Sequence, residues 1–299
     1  MRLDAKVREA LKGKFCSWLY LLALLAAGCH ARAPEEAGPH RVALAEAVKP
    51  TVMSAALRHL GGAHYHATLK MSAGRPGATP VVVTTTTDVW LDRAGNYKVH
   101  EENDRDGGRE VVLYGRELAV ALRYGKMIRR VAEEPEPTRL LEQALGGPWA
   151  AFEIGAPRLR VDNAGPELVG GAAATRYTLA MGDAGSPAGA PHVYGLRAWR
   201  AGLNVGSVAG RAVIDDVTGA LMAIDLTVGF QSKTESGEES GTIEVHTALS
   251  DVASTPPVQR PSAEELVLRQ RTVPEARELL RGLAEPNHRA PAPPKERQP

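Results

Sequence analysis

The residues best suited to chemistry are two histidines separated by one residue, His64 and His66. Side chains two positions apart on a strand point to the same face of the sheet, so the two imidazoles would stand together. Neighbouring strands that carry His100 or His246 would add a third imidazole, and three histidines can hold zinc. Both His64 and His66 fall on the polar side of their strand, so we expect a solvent-facing pair and no metal site.

A second group of charged side chains runs into a turn and comprises Glu101, Glu102, Asp104 and Asp106. Carboxylates are calcium ligands, but the spacing of these four matches no calcium-binding loop. We therefore expect neither a metal nor any other cofactor.

Motifs of known enzymes are absent from the chain. It contains no Gly-x-Ser-x-Gly, no phosphate-binding loop and no His-Glu-x-x-His. Ser186 follows a glycine, but Pro187 comes next, and the segment 182–191 is too rich in small residues to hold a nucleophile rigidly. The sequence predicts no catalytic residue and a non-enzymatic protein.

The elements that would position these side chains are mostly strands. Apolar residues alternate with polar ones in His64–Met71 and again in Met222–Phe230, as on strands with one buried face. Turn signals such as Asp92–Gly95, Asp104–Gly108 and Asp216–Gly219 separate the runs. We count roughly eleven strands, and a sheet of that size must curl or close.

Helical patterns flank the strands and interrupt them once. Arg41–Leu60 is helical in pattern with Pro50 as a kink or break, and its predicted buried face holds Val52, Ala55, Ala56 and Leu60. A short helix opens at Thr138 and ends at Gly146-Gly147-Pro148. Ser262 and Glu265 match a capping box for a helix over Glu264–Arg271, and a last helix follows Pro274.

The first 28 residues have the layout of an export signal, with basic residues ahead of an apolar core, Trp18–Ala27. That core is about half the roughly twenty residues that a spanning helix needs, so we expect cleavage. The end of the core, Ala27-Gly28-Cys29, resembles a bacterial lipoprotein signal, which implies lipid attachment at Cys29. An ordinary secretory signal and an inert amphipathic helix remain open as alternatives.

Cysteine content and charge agree with export and lipid attachment. Cys16 lies in the segment to be removed, so the mature chain has one cysteine and no internal disulfide. Removal of residues 1–28 takes five basic and two acidic residues from 36 and 35, which leaves a net charge of −2 and no general attraction to nucleic acid. We expect a tether at 29–40, one domain over 41–283, and a disordered tail at 284–299.

This organisation, with phrases such as Gly210–Ala220, resembles the lipoprotein-carrier superfamily of half-barrels. That superfamily includes the periplasmic lipoprotein carrier, its outer-membrane receptor and mycobacterial lipoproteins that hold acylated lipids. The resemblance covers about Arg41–Val252 and implies an α+β fold, in which a strongly curved antiparallel sheet, an incomplete β-barrel of roughly eleven strands, is covered by a few helices. Acyl chains would lie between the concave face and the helices. The carrier's functional arginine has no matching position here, so no binding residue is transferred.

A sheet face without a partner sheet is either covered fully by helices or left with a cavity for an apolar ligand. The candidate lining residues are the apolar members of the predicted concave face: Tyr65, Leu69, Met71, Val83, Val89, Met222, Ile224, Leu226, Phe230, Ile243 and Val245. Each could equally be plain core. Trp149 and Phe152 could lie on a mobile lid or plug the core.

Two functional hypotheses follow. The first is a non-enzymatic lipoprotein, held in the outer membrane by its N-terminal acyl chains and facing the periplasm, that binds or transfers a lipid or an acylated protein. The residue after Cys29 is His30 and not the aspartate of the inner-membrane retention signal, so the resemblance implies the outer membrane. The alternative is a structural or interaction lipoprotein with a filled core, whose basic tail, Arg289–Arg297, or an edge strand binds another envelope protein.

Overall fold

The computed structural model describes residues 39–183, 203–234 and 237–267. Over these ranges the chain forms one open, strongly curved antiparallel sheet of eleven strands with four helices. The prediction of an α+β fold with an incomplete barrel of roughly eleven strands is confirmed. The predicted signal peptide, Cys29, Ser186, the helix after Pro274 and the tail all lie outside the described residues.

The helices are α1 (Pro39–Ala47), α2 (Pro50–His59), α3 (Glu136–Ala144) and α4 (Gly147–Gly155), and a 3₁₀ turn follows at Ala156–Arg158. The strands are β1 (Ala63–Gly74), β2 (Val81–Leu91), β3 (Tyr97–Asn103), β4 (Gly108–Tyr114), β5 (Glu117–Leu122), β6 (Ile128–Val131), β7 (Leu159–Val169), β8 (Ala172–Met181), β9 (Leu203–Asp215), β10 (Leu221–Thr234) and β11 (Gly237–Ser250). Their order in the sheet is β6-β5-β4-β3-β2-β1-β11-β10-β9-β8-β7.

The centre of the sheet joins the first strand to the last. Tyr65 on β1 pairs with Leu249 on β11 and with Val89 on β2, so apolar side chains of all three strands share one face. We call this the inner face, because helices α1 and α4 pack against it and the main core forms there. The other, outer face carries His64, His66 and Asp88.

The predicted N-terminal helix is divided at Pro50. Lys49 has an extended backbone (φ −66°, ψ 129°), as expected of a residue before proline. The buried face of α2 is one position out of step with the prediction, since Met53, Ala56 and Leu57 are buried while Ala55 is exposed. The break at Pro50 resets the orientation of the second helix, so of the predicted face Ala56 is buried, Val52 and Leu60 are half-buried, and Ala55 is exposed.

Helix α4 is absent from the prediction, which placed a stop at Gly146-Gly147-Pro148. A new helix begins there instead, because proline is tolerated in a first helical turn. It is apolar nearly all round and lies buried on β9, β10 and β11. A Cβ atom on Gly155 would lie 2.9 Å from Val228 Cγ2, so glycine permits this close contact between helix and sheet.

One strand prediction and one helix prediction also need correction. Strand β7 continues past the predicted Leu159–Val161 to Val169, and a bulge between Asn163 and Gly165 hides its alternation. The described part of the predicted helix Glu264–Arg271 is not helical, since Leu266 forms a parallel bridge with Met127. The segment ending there covers an apolar cluster on the outer face, made of Val112, Ala119, Ala121, Met127, Val258 and Leu266.

Candidate functional site

A cavity of about 560 Å³ lies between the inner face and the helices, within the range of about 300–1,000 Å³ typical of small-ligand sites. Its floor comes from β1, β2 and β3. Its opposite wall comes from the start of α2, from α3 and from the start of α4. The lining residues are Lys49, Pro50, Thr51, Ala67, Leu69, Thr85, Thr87, Glu101, Arg139, Glu142, Gln143, Ala144, Gly146, Gly147, Trp149 and Ala150.

The floor follows directly from strand register. Ala67 pairs with Thr87, and Leu69 pairs with Thr85, so these four side chains stand side by side on the inner face. Thr87 pairs in turn with Glu101 on β3. Ala67 is the smallest side chain of the row, and the cavity opens above it. The site is therefore part apolar and part hydroxyl-lined.

A charged network ties the floor to helix α3. Arg109 Nη2 lies 3.2 Å from Glu101 Oε2, and Arg109 Nη1 donates to Gln143 Oε1 at 3.1 Å. The Tyr97 hydroxyl donates to the Pro137 carbonyl at 2.7 Å and fixes the start of the same helix. Burial raises the pKa of Tyr97, and the nearby Glu134 carboxylate adds to the rise, so the phenol stays protonated as a donor. These bonds hold α3 over the floor.

The mouth of the cavity carries charges of both signs. Lys49 lines the cavity, and its Nζ lies 2.5 Å from Glu46 Oε1. Arg139 is exposed, and its guanidinium makes no ion pair with another described residue. Glu142, one helical turn further along α3, is partly buried and has none either. An amphiphile with a polar head could therefore lie with its chain inside and its head at this rim.

Of the eleven predicted lining residues, Leu69 lines this cavity. The others share its inner face but pack into the core or beside it. Eight of them are buried: Tyr65, Val89, Met222, Ile224, Leu226, Phe230, Ile243 and Val245. Met71 and Val83 are half-buried. Trp149 borders the cavity, whereas Phe152 is buried in the core with its ring centroid 5.9 Å from that of Trp149.

Sequence reasoning missed the polar floor and the contribution of α3. The available signal was the run Thr84–Thr87, because every second threonine of a strand must face inward once Val89 does. The role of Glu101 depends on Arg109, eight residues away on the next strand, and no local pattern reports that pairing.

The outer-face histidines share a carboxylate instead of converging on one another. His64 Nε2 lies 2.8 Å and His66 Nδ1 lies 2.9 Å from Asp88 Oδ1, and the His64 ring stacks on Trp90 at 4.8 Å. Burial opposes ionisation of Asp88, but the hydrogen bonds from His66 and His64 outweigh it and lower its pKa. His246 lies against Asp225.

In the described part of the chain, no group of three or more His, Cys, Asp or Glu side chains is arranged to hold a metal ion. The acidic cluster is also divided, since Glu101 faces the cavity while Glu102 lies 3.8 Å from His100 on the outer face. No helix within residues 39–183, 203–234 and 237–267 is long and apolar enough to cross a membrane.

Comparisons with known proteins return structural matches alone. No family model matches the chain, and no curated protein matches it. Lipoprotein LppX from Mycobacterium tuberculosis is 13% identical, with 73% of this chain and 98% of that chain covered and a TM-score of 0.30. LprF from Mycobacterium bovis is 14% identical, with 75% and 96% covered and a TM-score of 0.30.

A LolA superfamily protein from Nitrosomonas europaea is 9% identical, with 68% of this chain and 94% of that chain covered and a TM-score of 0.21. The matches thus include proteins of the group that the sequence resembles. The half-barrel description rests on the strand order and register of this chain, and not on matches with TM-scores this low.

Proposed function

We propose that this protein is a periplasmic lipoprotein that binds one acyl lipid, free or attached to a protein, in the cavity between the inner face and helices α3 and α4. The observation that carries the proposal is the cavity itself, about 560 Å³ in volume and floored by Ala67 and Leu69. A helix held over a sheet by Arg109 and Tyr97 leaves this space instead of closing it. Binding, and not catalysis, is the task that this arrangement supports.

The cellular location of the protein is part of the same proposal. Residues 1–28 would be removed, Cys29 would carry the acyl chains, and a tether ending near α1 would keep the domain within reach of the outer membrane. Residues 41–283 would form one domain. Transfer of the lipid to another protein would require the helices α3 and α4 to move, because they cover one side of the cavity.

A second candidate is a structural or interaction lipoprotein without a ligand. One observation favours it: the inner face of β10 is filled by its own side chains, with Ile224 and Val228 both 0% exposed. In that case the cavity would hold water, and an edge strand such as β7 or the basic tail would contact the partner.

Filling the cavity tests the proposal. In the full chain carrying Cys29→Ser, which needs no detergent, we expect a co-purified lipid that native mass spectra report as an extra mass removed by organic extraction. Ala67→Leu adds bulk at the cavity floor and should abolish that mass. Thr68→Leu makes a similar change on the outer face of the same strand and should keep it. A protein that carries no lipid and accepts none when offered would support the second candidate.

A further inference from the structure

The cavity floor carries hydroxyl groups where a hydrocarbon would prefer apolar side chains. Ala67 pairs with Thr87 on one side and with Thr247 on the other, so the three residues form one row across β2, β1 and β11. Thr85 is the next inward-facing residue of β2 and pairs with Leu69. Opposed side chains in such a row have Cβ atoms about 4.5–5.5 Å apart. A group lying on Ala67 is therefore close to hydroxyls on both sides.

Two further hydroxyls, next to this floor but not among the residues that line the cavity, are buried without a partner in the described part of the chain. Thr247 is 1% exposed and its Oγ1 has no hydrogen-bond partner among the described residues. Tyr65, also 1% exposed, lies diagonally across from it on β1, and its hydroxyl likewise has none. Burial raises the pKa of Tyr65, so its hydroxyl keeps its proton and can donate.

An unpaired buried hydroxyl destabilises a fold, whereas valine and phenylalanine would fill the same space without that cost. Natural sequences retain such destabilising groups where function uses them. These hydroxyls lie next to Ala67, the one side chain of the row that leaves space for a ligand. Their position therefore indicates a function in ligand binding.

We infer that the ligand is an amphiphile whose own hydrogen-bonding group, an ester or a hydroxyl, enters the cavity and bonds to the hydroxyls around Ala67. This inference rests on the proposed function and specifies where the polar group of the bound acyl lipid lies, close to the chain and inside the cavity beside Ala67. The charges of Arg139 and Glu142, which line the cavity, suit the more exposed part of such a molecule. A site that bonds a ligand hydroxyl discriminates strongly against the analogue that lacks it.

The test compares two probes of equal chain length, 1-dodecanol and 1-chlorododecane, as competitors of a fluorescent fatty acid bound to the full chain carrying Cys29→Ser. The readout is the ratio of their dissociation constants, which cancels the general hydrophobicity of each probe when two proteins are compared. We expect Thr247→Val to weaken the binding of 1-dodecanol about tenfold relative to that of 1-chlorododecane, as loss of one hydrogen bond implies. Tyr65→Phe should shift the ratio in the same direction.

Thr86→Val is the matched control, since the same change on the outer face of β2 should leave the ratio unaltered. Without ligand, Thr247→Val should raise Tm by about 2–4 °C, because it removes an unpaired buried hydroxyl. A ratio that is equal in wild type, Thr247→Val and Tyr65→Phe overturns the inference, and so does a lower Tm for Thr247→Val. If neither probe displaces the fluorescent fatty acid, the proposed function itself fails.

Discussion

Asp88 is the residue around which the polar outer face is organised. Its carboxylate accepts hydrogen bonds from His66, which is its register partner on β1, and from His64, two positions along the same strand, while Trp90 stacks on His64. Shared contacts to one carboxylate keep both rings on the surface of the sheet. The contacts of His64 and His66 with Asp88 therefore link β1 to β2 on the outer face.

Replacing Asp88 should change how the free energy of unfolding depends on pH. Because the pKa of Asp88 is lowered by folding, its contribution is present above the unfolded carboxyl pKa of about 4 and is lost as the pH falls through the folded value. We expect Asp88→Asn to lower the free energy of unfolding by about 1–2 kcal/mol at neutral pH. The gap between the two proteins should narrow as the pH falls below about 4.

Urea unfolding of both proteins at several pH values measures this gap. Asp162→Asn is the control, since the ion pair of Asp162 with Arg160 is largely exposed, at 51% and 62% of each side chain, and should contribute little at any pH. A gap between wild type and Asp88→Asn that stays constant down to pH 2 would contradict the assignment.

Cys29 determines where the protein resides, if the lipoprotein signal is used. Two or more acyl chains hold a protein on a bilayer far more firmly than one, so Cys29→Ser should move the chain from the membrane fraction to the soluble periplasm. Cys16→Ser changes the other cysteine of the chain, within the segment to be removed, and should leave the protein on the membrane. Fractionation and immunoblotting distinguish the two, and retention of Cys29→Ser on membranes would refute the anchor.

Individual strands were predictable wherever one face alternates cleanly. Met222–Phe230 is an example, since Ile224, Leu226 and Val228 are all buried as the alternation requires. Alternation indicates that one face of a strand is shielded from water, but not whether protein side chains or a ligand shield it. For that reason the sequence placed Ile224 and Leu69 in one class, although Ile224 lies in the core and Leu69 lines the cavity.

At the scale of elements, the inner face of β10 is the surface on which α4 docks. Ile224 is 0% exposed, and Gly155 of α4 approaches Val228 closely. Burying an unpaired charge there is strongly unfavourable. The contact between helix and strand therefore depends on an uninterrupted apolar row.

Ile224→Glu should unfold the domain or lower its Tm by more than 10 °C, as expected for an unpaired charge buried in the core. The matched control is Ala209→Glu, an exposed position of the neighbouring strand β9, which should change Tm by no more than about 2 °C. Circular dichroism during heating measures both. An Ile224→Glu protein that melts like wild type would show that the inner face has been assigned to the wrong side of β10.

The helices were harder to predict than the strands. Helix α4 begins with Gly147-Pro148 and is apolar apart from Glu153, which is itself buried, so it has neither the amphipathic period nor a polar start that identifies a surface helix. The segment up to Leu266 shows the opposite error. Glu265 Oε2 does accept a hydrogen bond from Ser262 N at 2.7 Å, as a capping box requires, but the chain then pairs with Met127 instead of continuing as a helix.

At the scale of the whole molecule, two meanders share one sheet. Strands β1 to β6 run outward in one direction from the centre and β11 to β7 in the other, while α3 and α4 connect the two edges across the inner face. The pairing of β1 with β11 joins residues about 180 positions apart, such as Tyr65 and Leu249. Local sequence patterns carry no information on that pairing, nor on the position of α3 over β1, β2 and β3, so the cavity could not be located from sequence.

Photo-crosslinking tests the central claim, that an acyl chain lies between the inner face and helices α3 and α4. The full chain carrying Cys29→Ser would be incubated with a fatty acid bearing a diazirine on its chain, irradiated, digested and mapped by mass spectrometry. We predict crosslinks to the inner-facing residues of β1 and β2 around Ala67 and to Trp149 and its neighbours, all suppressed by Ala67→Leu. Crosslinks confined to the outer face, for example around Trp90 and Val258, or a complete lack of them, would contradict the account.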